Sequence, residues 1–154
     1  MPSGRISVHG WWAMALVVFV LSGCAGTMAP MPGAFPHQYS DLNIALGWNC
    51  ARTAGGVIAK GVVMSPQLLN LTNMQFTLYG INAQGVQISQ GQGAPQTYVV
   101  TDATPFTVTV QAVGGEVRYD LAFTYTIGEG GGRKGGFDTS PQNGTQTNAC
   151  PGLQ

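Results

Sequence analysis

From Leu42 onward the chain alternates between apolar and polar positions with a period of two. Leu42, Ile44, Leu46, Trp48 and Cys50 fall on one side, and Asn43, Ala45, Gly47 and Asn49 on the other. That is the pattern of a half-buried β-strand. Gly56–Met64 (GVIAKGVVM) predicts a second strand, ended by Ser65-Pro66 because proline has no N–H for a ladder. Residues 71–83 predict a third, with Met74, Phe76 and Leu78 on one face and Gly80 marking a bulge or bend. A turn at Asn82-Ala83-Gln84-Gly85 returns the chain into a short strand at 86–90, and 97–101 (TYVVT) forms a weaker one. Within Thr104–Gln111, Phe106, Val108 and Val110 alternate, and Gly114-Gly115 then turns the chain. The last strand has the clearest pattern. Val117, Tyr119, Leu121, Phe123, Tyr125 and Ile127 share one face, with Arg118, Asp120, Ala122, Thr124 and Thr126 on the other. About seven short strands, spaced roughly 8–12 residues apart with no helical period between them, predict an all-β, antiparallel β-sandwich over residues 41–128. Parallel pairing would need crossovers of a dozen or more residues, and these connections are shorter.

The chain begins with a different pattern. Residues 1–10 carry Arg5 and His9 but no acidic residue, and residues 11–21 (WWAMALVVFVL) are uninterruptedly apolar. Eleven residues of helix rise about 16 Å, well short of the roughly 30 Å hydrocarbon core of a bilayer. A basic start followed by a short apolar stretch and small residues reads as a secretory signal. Where an ordinary signal would end in an A-x-A-like site, this chain has Leu21-Ser22-Gly23-Cys24. That sequence resembles the lipobox of bacterial lipoproteins. The resemblance implies cleavage before Cys24, a diacylglyceryl group on its sulfur and acylation of the new amine, so residues 1–23 are the signal peptide. Two or more acyl chains give stable anchoring where one does not. Ala25 stands where Asp would resemble an inner-membrane retention signal. The implied address is therefore the outer membrane, or the inner membrane in a cell that has only one.

Residues 24–40 contain GTMAPMPGAFPHQ, rich in proline and glycine and free of Asp, Glu, Lys and Arg, and read as a lipid-anchored flexible tether. Met28, Met31 and His37 are soft ligands in type, but nothing spaces them as a closed metal site. After Gly128 the alternation dissolves into EGGGRKGG and then a polar stretch, so 129–154 reads as a Gly-rich flexible tail. Its glycines do not make a phosphate loop, because Lys134 is followed by Gly135 and no helix pattern comes after. With Cys24 acylated, Cys50 and Cys150 remain as an even pair in an exported chain, and a disulfide between them is expected. It would return the tail to the end of the first strand.

Gly61-Val62-Val63, Asn70 to Asn73, Phe76-Thr77-Leu78-Tyr79, Gly85 and Pro105-Phe106 together resemble the small bacterial FxLYD domains. The likeness covers about 65 residues. It departs from the family pattern at Gly80, where Asp is usual, and at Met74, where Val is common. The resemblance implies an immunoglobulin-like sandwich and no catalytic residues.

Composition narrows the function classes further. Six Lys plus Arg balance six Asp plus Glu, and only 8% of residues are charged, against roughly 25% in ordinary soluble domains. There is no basic footprint for nucleic acid. His37, the one histidine beyond the signal, sits in the expected tether, where no scaffold would position it for proton transfer. There is no G-x-S-x-G, no H-E-x-x-H and no zinc-type Cys/His spacing. Asp102 and Glu116 fall in predicted turns, where carboxylates ordinarily cap the turn or face water. Arg118 and Asp120 are placed to pair on a strand surface, and Tyr79, Tyr98, Tyr119 and Tyr125 are expected as core or rim residues. No enzyme, cofactor or metal centre is expected. The leading expectation is a lipid-anchored envelope module that binds a protein partner without chemistry. The competing expectation is a periplasmic carrier of a small apolar ligand or metal ion.

Overall fold

The structure, a computed structural model, describes residues 31–128 and 140–153. The expected signal peptide, Cys24, the first part of the tether and the glycine run after Gly128 lie outside the described residues. After a single 3-10 turn (Pro32–Ala34) come eight strands: β1 (His37–Ser40), β2 (Ala45–Thr53), β3 (Gly56–Met64), β4 (Asn70–Asn82), β5 (Gln87–Gly93), β6 (Thr104–Gln111), β7 (Glu116–Gly128) and β8 (Gln142–Gln146). They form two antiparallel four-stranded sheets, β1-β2-β3-β6 and β5-β4-β7-β8.

The inward positions of the period-two pattern meet between the sheets. Ile44, Leu46, Trp48, Val57, Ala59, Val63, Phe106, Val108 and Val110 come from one side. Leu71, Met74, Phe76, Leu78, Tyr119, Leu121, Phe123 and Tyr125 come from the other. Phe76 and Phe106 stack across the middle with ring centroids 4.0 Å apart, a contact worth about 1 kcal/mol beyond the area it buries. Gly61 lies opposite Trp48 in the β2–β3 ladder, and a Cβ there would collide with the tryptophan's own Cβ. The missing side chain leaves space for the indole.

Several elements differ from the sequence expectation. The first predicted strand starts at Ala45 instead of Leu42, because the Asp41 carboxylate accepts the N–H groups of Asn43 (2.8 Å) and Ile44 (2.9 Å). This Asx turn leaves Leu42 71% exposed. The C-terminal part of the expected tether is structured. Pro32 is buried against Gly47 on the outer face of β2, and β1 pairs with β2 from His37↔Trp48 to Ser40↔Ala45. Residues 97–101 form no strand; Val100 only bridges Leu71, through N–H···O bonds of 2.8 and 2.9 Å. Part of the expected flexible tail is β8, which extends the second sheet beyond β7, and Ala149 and Cys150 are buried.

The β4 bulge lies where Gly80 predicted it, the ladder to β5 shifting register between Gly80 and Ile81. A Cβ at Gly80 would meet the Ser89 hydroxyl and the Glu116 Cγ. A side chain here, where the FxLYD pattern has Asp, would have to displace both of those groups.

Candidate functional site

Cys50 and Cys150 are joined by a disulfide, with Cα atoms 5.5 Å apart. Around it the tail is held by directed hydrogen bonds. The Trp48 indole N–H donates to the Ala149 carbonyl (2.8 Å), and the Ala149 N–H donates to the Tyr119 carbonyl. The Asn148 N–H donates to Asp120 Oδ1 (2.8 Å), and the Arg52 guanidinium donates to the Leu153 carbonyl. This corner is a structural clasp.

The two turn carboxylates do not meet. Asp102 precedes β6 and Glu116 follows it, so the eight residues of that strand separate them by about 26 Å at roughly 3.3 Å per residue. Glu116 caps its own turn instead. Its carboxylate accepts from the N–H groups of Val113 (2.8 Å) and Gly114 (3.0 Å) and from the Ser89 hydroxyl (2.9 Å). Partial burial pushes its pKa up, but these bonds and one from its own N–H outweigh that and hold it below the ordinary 4.5. Arg118 Nε lies 3.3 Å from Asp120 Oδ1, so the expected pair forms. The aspartate is buried, however, and its second task is holding Asn148.

His37 lies in β1, its ring 5.9 Å from that of Trp48. Among the described residues no three His, Cys, Asp or Glu side chains converge as metal ligands, and no helix is long and apolar enough to cross a membrane.

The four tyrosines separate by environment. Tyr119 and Tyr125 are core residues, and desolvation raises both above the ordinary 10.0. Tyr79 is half-buried between Gln90 and Asp120 on the outer face of the second sheet. Tyr98 is 72% exposed, in the loop between β5 and β6. It borders an open groove of about 310 Å³ lined by Asn73, Met74, Gln75, Ala94, Pro95, Gln96, Thr97 and Tyr98.

Two local features build this groove. On β4 the ladder to β7 breaks between Thr72 and Gln75, and Asn73 takes a positive φ of 52°. Bulges of this kind re-aim side chains. On the other wall, Pro95 bridges Phe106 and the Gln96 N–H donates to the Pro105 carbonyl (3.0 Å), fixing the loop to the start of β6. A hydrogen-bonded chain then joins the walls. The Tyr98 hydroxyl donates to Asn73 Oδ1 (2.8 Å), and Asn73 Nδ2 donates to Thr126 Oγ1 (3.1 Å). Thr126 Oγ1 is itself 2.9 Å from Thr72 Oγ1.

No family model, no curated protein and no solved structure matches this chain. The groove carries no charged residue and no catalytic spacing, which is why sequence reasoning passed over it. Pro95 between Ala94 and Gln96 was a usable sign of a loop. Nothing in the sequence marked Asn73 for the left-handed region except asparagine's tolerance of it.

Proposed function

We propose that this protein is a lipid-anchored envelope lipoprotein whose β-sandwich serves as a non-catalytic interaction module. The observation that carries the reading is the sequence Leu21-Ser22-Gly23-Cys24 closing an eleven-residue apolar run behind a basic start. The disulfide adds support. It occupies the other two cysteines of the sequence, and such bridges belong to oxidising compartments outside the cytosol.

The finer fold reading is an immunoglobulin-like sandwich with the FxLYD likeness. Taking β2, β3 and β6 as strands A, B and E, and β5, β4, β7 and β8 as C′, C, F and G, gives the immunoglobulin order with β1 as an added edge. The matching motif residues lie in β3, β4 and β6, except Gly85, which lies in the turn between β4 and β5.

The anchoring geometry is tight. Residues 24–31 span at most about 25 Å fully extended, so the domain is held close to the bilayer. Because Pro32 is seated on the outer face of β2, the first sheet is the one nearer the anchor. A carrier using the sandwich interior would need room there, and Trp48, Phe76, Phe123, Leu46 and Leu78, all fully buried, fill it.

Metabolic labelling with a fatty-acid analogue tests the anchor. The wild type takes up label, whereas Cys24→Ser takes up none and leaves the membrane fraction. Equal labelling of both would overturn the reading. For the module, crosslinking in intact cells is expected to recover one defined envelope protein; recovery of only lipid and bulk porin would count against it.

A further inference from the structure

Tyr98 is 72% exposed and yet held in place. Its hydroxyl is fixed on Asn73, which is fixed on Thr126, so the ring is ordered before any partner arrives. The cost of immobilising a side chain on binding is then already met. The groove beside it, at about 310 Å³, is at the lower end of the roughly 300–1,000 Å³ typical of small-ligand sites.

Its lining selects among ligand chemistries. None of the eight residues carries a formal charge, so neither an anion nor a cation finds a counter-charge. The groove opens to solvent and mixes Met74, Ala94, Pro95 and the Tyr98 ring with three side-chain amides and a threonine hydroxyl. A purely apolar ligand would leave those amides desolvated and unpaired. Asn73 uses one amide N–H and one oxygen lone pair in the observed bonds, leaving one of each for a ligand. A pyranose ring matches both halves of this lining, with a C–H face for an aromatic ring and hydroxyls around its edge for amides.

We propose that this groove binds a neutral oligosaccharide, with the Tyr98 ring as the platform under one sugar and the amides of Asn73, Gln75 and Gln96 as partners for its hydroxyls. The surface continues beyond the groove in kind. Thr77 pairs with Gln92 and Tyr79 with Gln90 on the outward rows of β4 and β5, so further sugar units would run over hydroxyl and amide groups, with the largely buried Asp120 on the far side of Tyr79. This face belongs to the second sheet. The proposal deepens the module reading by naming a ligand class, and it does not depend on lipidation.

The test is calorimetric titration of the full chain in detergent with cellohexaose, chitohexaose and maltohexaose, with heparin as the charged comparison. At least one neutral oligosaccharide is expected to bind saturably and heparin not to bind. Tyr98→Ala is expected to weaken the neutral ligand by about tenfold or more, with the thermal unfolding midpoint unchanged because the side chain is exposed. Tyr98→Phe keeps the platform but loses the link to Asn73, and is expected to fall between the two. Failure of all three neutral sugars, binding indifferent to Tyr98→Ala, or preference for heparin would each overturn the proposal. So would loss of the crosslinked envelope protein in Tyr98→Ala without sugar binding, which would assign the groove to that protein. Fatty-acid labelling is expected to be identical in all variants, so a failure here is distinguishable from a failure of the anchor.

Discussion

Glu116 opens β7 and holds the preceding turn by accepting from Val113, Gly114 and Ser89 at once. In so sparsely charged a chain, one such carboxylate has a visible share of the pH response. Held below the ordinary 4.5, it binds fewer protons folded than unfolded at acidic pH. Its stabilisation is therefore complete above 4.5 and is lost as the pH falls through the depressed folded value. Glu116→Gln keeps the shape but removes the charge from those bonds. The expected loss at neutral pH is about 0.5–1 kcal/mol after solvent screening. Urea midpoints measured on both sides of pH 4.5 check the assignment, the gap between wild type and variant narrowing on the acid side. A gap that stays constant or widens there would remove Glu116 from the acid response. The contrast with Asp102 is instructive: two turn carboxylates of one sequence type end at opposite ends of β6, and only the one beside Ser89 and two free N–H groups becomes a cap.

At the scale of elements, strands carrying their own apolar alternation were legible, and strands that borrow their burial were not. β7 shows its inward face in Tyr119, Leu121, Phe123 and Tyr125, and β3 shows its apolar run. In contrast, β8 reads QNGTQ, and its register is set from outside by Leu121–Tyr125 of β7, with Gly144 lying over the Phe123 ring. β1 was hidden by the prolines around it, its Tyr39 meeting Phe123 edge-on at 5.1 Å. Residues 97–101 failed the other way. They have β-propensity, but Tyr98 is tied to Asn73, and the backbone bonds of the segment are confined to Val100 on Leu71 and the Thr101 carbonyl on the Ser65 N–H. The groove was illegible for the same reason, since it depends on a bulge and a loop fold that no residue pattern announces.

The strand β5 (QISQGQG), with glycine at two of its last three positions, makes the closest approach. A Cβ at Gly91 would come within 1.8 Å of the Thr109 carbonyl oxygen and one at Gly93 within 2.1 Å of that of Thr107. Gly91→Ala is therefore expected to destabilise by about 2–3 kcal/mol. Gly55→Ala, with nothing within 4 Å, is expected to be close to neutral. Chemical denaturation of the pair measures the difference, and equal effects would show that β5 and β6 are not in backbone contact.

Over the whole molecule, the two sheets are closed against each other by different means on their two sides. One side is the glycine-permitted contact of β5 on β6; the other is the clasp of residues 147–153 on β2 and β7, locked by Cys50–Cys150. A sandwich of this size buries only a little over 60% of its unfolded surface, so its margin is small. A bridge between residues 100 positions apart restricts the unfolded chain strongly; the entropy model gives a ceiling of about 4.7 kcal/mol. Paired replacement of both cysteines by alanine is expected to cost about 2–4 kcal/mol. The loss should be directional, because the glycine side does not depend on the bridge. Amide exchange is expected to accelerate first in β8 and around Asn148 and Ala149, while Gly91, Gly93 and the β3–β6 ladder keep their protection. Trp48 gives a second readout. In a chain processed before Cys24 as proposed, Trp11 and Trp12 are removed and Trp48 is the sole tryptophan; its indole N–H is bonded to the Ala149 carbonyl. Release of the clasp should expose it to water and shift its emission to the red before global unfolding. Simultaneous loss of protection on both sides, or an unmoved tryptophan, would mean the sandwich does not rely on its bridge for closure.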